Sequence, residues 1–351
     1  MRKMKNNRKI GIFDPDWVTP EEILLAADLE PIRLFGDPEV DLQKANEHIP
    51  PTHCVWARNI LERAINDAYP DLSGLITSHG CDCTNREFDI WLENVNLDFM
   101  YFLNVPLKRD EIARKFYVKD LKNMVSELEN HYGVTIEKEK ISKNIALMNE
   151  IRTLLKELSE LRSKNILKGS EFHRLVKMVQ MSDREKALEK LKKEKDNLKD
   201  KEPFNGDKFK RILLTGSVID DTKFFEYLED LGFQIVCDDL CVGSRYFWEN
   251  INENGNPIKA VSEYYLNKPI YSTKFPSYNR FDFLKKLTEI YDVDGVLNIA
   301  QKFCEPMLYD HPFMKKKFQE LGIPYIFVEM LYNREQYKQL STRFEAFQEM
   351  I

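Results

Sequence analysis

No stretch of this chain stays apolar for the roughly 18–20 residues that a bilayer crossing needs. The basic start "MRKMKNNRK" is followed only by "IGIF" before Asp14, too short a core for a secretory signal, so a cytoplasmic protein without a membrane segment is expected. Charge of one sign is lacking too. Lys and Arg number 52 against 58 Asp and Glu, a net charge of −6, which leaves no polybasic surface for nucleic acid or anionic lipid. Cysteine is sparse, six in 351 residues, and that excludes a disulfide scaffold. In a reducing compartment such cysteines are buried, catalytic or metal-bound.

What is present is apolar material, 43% of residues with 12% aromatic, sufficient for two or three packed cores. Short apolar runs alternate with helical patterns at both ends of the chain. "KIGIF", "PIRLFG", "LSGLIT" and "FMYFLNV" recur in the first hundred residues, and "RILLTGS", "FQIVCDD", "DGVLNIA" and "IPYIFVEM" in the last 140. This alternation predicts parallel sheets with crossover helices. Between them "DLKNMVSELENHYG" and "ISKNIALMNEIRTLLKELSELRSKN" carry a 3.6-residue period without strand signals. The expected fold is α/β: two Rossmann-like parallel-sheet domains, 1–107 and 206–351, with an intervening helical domain and linker, 108–205. Gly232 and Gly322 read as helix C-caps, and Ser182 with Glu185 as a capping box.

Three cysteines stand where such a fold gathers ligands. Cys81 and Cys304 each follow an apolar run by a few residues, and Cys54 opens the amphipathic stretch "CVWARNILERA". Strand ends in an open α/β sheet face a common crevice. A helix start adds partial positive charge that favours thiolate. Thiolates so placed suit an iron–sulfur cluster, and three of them would leave one iron open. The spacing matches no compact ferredoxin motif, so from spacing alone three buried thiols remain an equal alternative.

Cys83, two residues from Cys81, and Cys241, in the loop "DDLCVGSRYFW", are candidate auxiliary ligands, whereas Cys237 ends a strand pattern and reads as a core thiol. His53 and His79 adjoin Cys54 and Cys81. A zinc site from Cys54, His79, Cys81 and Cys83 would lack the paired spacing of zinc fingers, so the histidines are expected to line the pocket. Glu22 is a candidate acid or base at the rim, although Thr19 three residues earlier and Pro20 between them also make it the closing member of a capping box.

The segments "CDCTNREFDIW", "DDLCVGSRYFW" and "DGVLNIAQKFCEPMLYDHPFMKKKFQELGIPYIFVE" resemble the 2-hydroxyacyl-CoA dehydratase and benzoyl-CoA reductase family, from "TPEEILLAADLEPIRLFG" to the C-terminus. The resemblance implies a [4Fe-4S] cluster on Cys54, Cys81 and Cys304. It implies a heterodimer with a second family subunit, one-electron activation by an ATP-dependent iron–sulfur activator, and an acyl-CoA substrate. In the dehydratases a ketyl radical anion expels the 2-hydroxyl, with Glu22 and His79 as the pocket groups to watch. The same resemblance admits a benzoyl-CoA reductase-type subunit acting on an aromatic acyl-CoA, or a subunit that only relays electrons or supports its partner. Many relatives carry a further cysteine in the stretch matching "NKPIYSTKFPSYNRFDFL", where this chain has Tyr271, so a four-cysteine cluster would need Cys83 or Cys241. The extra cysteine also leaves open the double-cubane branch of the family.

Overall fold

The computed structural model describes residues 8–69, 71–269, 271–274 and 278–351. The first seven residues, with most of the basic start, and parts of "NKPIYSTKFPSYNRFDFL" lie outside them. The N-terminal part runs β1 (Arg8–Phe13), α1 (Glu21–Ala26), β2 (Leu29–Arg33), α2 (Ala45–His48), α3 (Val55–Ile65), β3 (Leu72–Ser78), α4 (Asp82–Asn94) and β4 (Met100–Leu103). Four helices follow, α5 (Glu111–Tyr132), α6 (Lys138–Ser163), α7 (Gly169–Met181) and α8 (Arg184–Leu198). The C-terminal part is β5 (Lys210–Gly216), α9 (Thr222–Asp230), β6 (Phe233–Asp239), α10 (Pro257–Asn267), α11 (Asn279–Tyr291), β7 (Gly295–Gln301), α12 (Glu305–Glu320), β8 (Tyr325–Met330), α13 (Glu335–Gln339) and α14 (Ser341–Met350). Among the described residues no helix is long and apolar enough to cross a membrane.

Both sheets are wholly parallel, with strand orders β2-β1-β3-β4 and β6-β5-β7-β8. The two halves therefore repeat one topology, and each reverses its winding direction between its first and third strands. Helices cover both faces of such a sheet, so its strands are apolar throughout rather than alternating. Every residue of β6 and of β7 is buried. Gly216 ends β5 at φ 145°, where an added Cβ would stand 1.8 Å from the Ile299 carbonyl oxygen of β7, so only glycine lets the two strand ends close up.

The long helices are shaped by apolar stripes and by their ends. Asp110 caps α5 by accepting from the Ala113 N–H, and Gly133 at φ 64° closes it. Gly232 (φ 84°) and Gly322 (φ 69°) adopt the left-handed conformation expected of C-caps. The expected caps at two helix starts are corrected. The cap of α8 is Asp183, accepting from Lys186 N–H at 3.0 Å, not Ser182. Thr19 and Glu22 form no capping box, because Thr19 Oγ1 donates to Asp14 Oδ2 at 3.1 Å and α1 starts without a side-chain cap.

The three segments share cores. Ile10 and Ile12 of β1 pack in one apolar cluster with α5–α8 and with Tyr264 and Tyr265 of α10, so the helical layer recruits a C-terminal helix. A second cluster joins Phe13, Trp56 and Trp91 to Leu214, Phe224 and Phe344. Polar anchors fix the geometry between the halves. Asp220, just past β5, accepts from Gly36 N–H and Trp56 Nε1, both at 2.9 Å, and from the Tyr332 hydroxyl at 2.5 Å. Three arginines of the helical layer reach buried carboxylates on both halves: Arg184 Nε to Glu21 at 2.8 Å, Arg152 to Glu22, and Arg162 Nη1 to Asp238 at 2.7 Å.

Candidate metal-cluster site

Cys81 lies three residues past the end of β3 and Cys304 three residues past the end of β7, equivalent places in the two repeats. Both strands border the point where their sheet reverses winding, the place where open α/β sheets bind ligands. Each cysteine is the residue before a helix, α4 and α12, and Cys54 stands likewise before α3. The backbone just before Cys304 is forced: Phe303 holds φ 67°, a left-handed conformation that an aromatic side chain disfavours. Gly80, just before Cys81, is obligatory in a different way, since a Cβ there would meet Pro15 and Thr84 at 2.8 Å.

The three sulfurs share a local environment. None makes a full cap hydrogen bond, yet each is faced by the backbone N–H three residues into its own helix, that of Ala57, Thr84 or Met307, which favours the thiolate. Three helix N-termini thus converge, with their partial positive charge directed at one place. Hydroxyls lie close as well: that of Thr84 donates to the Cys81 carbonyl at 3.0 Å and stands 3.6 Å from Cys81 Sγ, and that of Ser217 bonds Cys304.

Cys83, in the first turn of α4, joins the group. It hydrogen-bonds the Cys81 thiol and lies beside Cys54, so four sulfurs, from Cys54, Cys81, Cys83 and Cys304, act on one another. Burial, and then the neighbouring sulfurs, push the Cys54 thiol far up and the Cys304 thiol up to about 12. The bond with Cys83 holds the Cys81 thiol well above its ordinary value, and the same bond lowers that of Cys83. A donor set so arranged fits an iron–sulfur cluster. Without positive charge between them the thiols remain protonated, and cluster iron reverses that penalty and releases the protons. Among the described residues no group of three His, Cys, Asp or Glu side chains is disposed around a single ion. The zinc shell of Cys54, His79, Cys81 and Cys83 is therefore not formed, whereas a cubane spreads its thiolates more widely.

A cleft of about 380 Å³ opens beside Cys81 and Cys83, bounded by His79, Leu107, Thr273 and Tyr309. His79 lines it as expected. Its Nδ1 is buried without a hydrogen-bond partner, and burial together with Lys274 keeps the ring below its usual value, hence neutral. His53 is likewise lowered by burial. The remaining candidates stand elsewhere. Cys241 is buried and accepts from Arg33 Nη2 at 3.1 Å, and its sulfur and that of Cys304 both act on the Tyr271 phenol. Glu22 is not at the cleft rim: it is wholly buried, ion-paired to Arg152 and hydrogen-bonded by the Tyr265 hydroxyl at 3.0 Å. Tyr271 itself is buried, donating to the Gly216 carbonyl at 3.0 Å.

One residue near the sulfurs escaped sequence reasoning. Glu87, on α4, is completely buried, accepts from Trp91 Nε1 at 3.1 Å, and is driven well above the usual carboxyl range, first by burial and also by the neighbouring Cys81 sulfur. Its signal was a carboxylate one turn from Trp91 on the apolar face of α4. In cluster-free protein the lowered thiol makes Cys83 the expected first target of iodoacetamide at mildly alkaline pH, by about tenfold over Cys54 and Cys304. Peptide mapping after brief labelling checks this, and earlier labelling of Cys54 would contradict the arrangement.

The chain is similar to known proteins over nearly its whole length. The (R)-phenyllactyl-CoA dehydratase beta subunit of Clostridium sporogenes is 30% identical over all of this chain and 94% of its own length. The lactoyl-CoA dehydratase subunit beta of Anaerotignum propionicum is 25% identical over 95% of this chain and 89% of its own. A benzoyl-CoA reductase subunit of Thauera aromatica is 22% identical over 98% and 91%. The family model described as 2-hydroxyglutaryl-CoA dehydratase, D-component, matches residues 16–351. Taken with two parallel sheets whose third strands both lead into cysteine-headed helices, this match means that the chain belongs to the 2-hydroxyglutaryl-CoA dehydratase D-component family.

Proposed function

We propose that this chain is the iron–sulfur subunit of a 2-hydroxyacyl-CoA dehydratase-type lyase, in which the thiolates of Cys54, Cys81 and Cys304 hold a [4Fe-4S] cluster. The observation that carries the reading is that Cys54, Cys81 and Cys304 each head a helix and that their sulfurs act on one another, beside a cleft that Cys81 lines. When bound, the cluster supplies an electron at low potential, the kind of reductant that turns a thioester carbonyl into a ketyl radical anion able to expel a 2-hydroxyl. The chain's own groups hold that charge. The N–H groups of Ala57, Thr84 and Met307 and the hydroxyl of Ser217 stabilise thiolate sulfur, while Leu107, Tyr309 and Phe313 supply the apolar part of the cleft lining. A ring N–H of His79 can donate a hydrogen bond to a substrate carbonyl. The enzyme assembles with a second family subunit, as the beta-subunit names of its relatives suggest, and takes its electron from an ATP-dependent activator in an anaerobic cytoplasm.

A second reading has its own support, the position of Cys83 beside Cys81 and Cys54. A fourth thiolate leaves no iron open to substrate, and the subunit then relays electrons to its partner. The test is anaerobic purification with the partner subunit, followed by EPR of the reduced protein with and without a 2-hydroxyacyl-CoA. About four irons and four sulfides per chain with a substrate-perturbed signal support the catalytic reading. The same content with an indifferent signal supports relay. Zinc, or no metal, ends both.

A further inference from the structure

A small pocket lies behind Leu107, which it shares with the thiol cleft, between the start of α5 and the residues that follow α10. Its free volume of about 20 Å³ is room for one or two water-sized particles. The wall carries four cationic side chains, Arg109, Arg245, Lys268 and Lys274, and a single carboxylate, Asp16. Two of these cations are matched. Arg245 Nη1 donates to Asp239 Oδ1 at 2.8 Å, and Lys274 Nζ lies 3.5 Å from Asp16 Oδ2.

Arg109 and Lys268 are differently placed. Arg109 donates to the backbone carbonyl of Lys268, and the charges that act on it are the like charges of Arg245 and Arg114. Lys268 is 4% exposed, donates to the Trp17 carbonyl at 2.7 Å, and stands 5.1 Å from the Tyr265 ring. The carboxylates within its reach are committed elsewhere. Asp14 accepts from the N–H groups of Asp16, Val18 and Thr19, and Glu22 binds Arg152 and Tyr265. Burial, Arg152 and Arg245 together pull Lys268 down to about 7. Below about pH 7 Lys268 therefore carries its charge beside the partly buried Arg109 with no carboxylate of its own, and an anion between the two would favour that charged form.

We infer that this pocket binds a small monovalent anion, of halide or hydroxide size, between Arg109 and Lys268. The volume excludes tetrahedral oxyanions and acyl groups, and the charge excludes cations. Binding needs neither iron nor acyl-CoA, so the inference stands or falls independently of the proposed dehydration. The test is the melting midpoint of the full chain in sodium chloride or bromide against sodium gluconate at equal ionic strength, since gluconate is too large to enter. A rise of about 2–4 °C in both halides is expected, abolished in Arg109→Gln and in Lys268→Met. Equal midpoints in all three salts, or a halide gain that survives both substitutions, would overturn it. Crystals of the unsubstituted protein grown in bromide give a second measurement that does not depend on the variants folding. An anomalous peak between the Arg109 guanidinium and Lys268 Nζ is expected, and its absence would equally overturn the assignment.

Discussion

Alanine at Cys54, Cys81 or Cys304 is expected to strip the cluster, taking iron and sulfide together from about four per chain to less than about one, and turnover of the assembled enzyme down by about 100-fold or more. The loss should not come through unfolding. None of the three sulfurs makes a cap hydrogen bond, so each helix start forfeits well under about 1 kcal/mol. The cluster-free variants should therefore melt close to the cluster-free parent, and anaerobic iron and sulfide analysis beside thermal melts separates the two effects. Cys241→Ala should keep its iron, because that sulfur is engaged by Arg33 rather than by the converging helices. Cys83→Ala divides the two functional readings: retained iron with a newly substrate-sensitive EPR signal marks Cys83 as the fourth ligand.

The second large effect is on stability. Glu22→Ala leaves the Arg152 guanidinium, 2% exposed, without its carboxylate, and breaking one side of such a pair typically costs about 3–5 kcal/mol. Denaturant melts should show that loss, and Glu22→Ala combined with Arg152→Met should recover most of it by removing the stranded charge. Once corrected for the folded, cluster-loaded fraction, turnover of the single variant should match the parent. A variant that melts normally yet fails to turn over would return Glu22 to the reaction.

That residue shows where sequence reasoning stops. Thr19, Pro20 and Glu22 have the spacing of a capping box, but Thr19 is taken by Asp14, five residues upstream in a turn the pattern does not show, and Glu22 by Arg152, 130 positions away. Cys81 and Cys304 were legible because a strand buried on both faces is a continuous apolar run that stops where the chain turns toward a helix. Cys54 was legible as a helix start. The company of Cys83 and the separation of Cys241 were not, since one depends on the pitch of the first turn of α4 and the other on Arg33, 208 positions distant. The duplicated strand order was hidden as well: topology repeats while the residues that build it do not.

The arginines that tie the helical layer to both halves bear on the order in which the chain can fold as it is made. Glu21 sits in α1, and its partner Arg184 follows 163 residues later. Until α6 supplies Arg152 for Glu22 and α8 supplies Arg184 for Glu21, these carboxylates intended for a dry interior lack a counter-charge, which opposes closing the first sheet over α1. The N-terminal 107 residues, expressed by themselves, would have the strands of a domain without the means to bury Glu21 and Glu22. In a nascent chain the cysteines before α3 and α4 therefore stay accessible until the helical layer has been made.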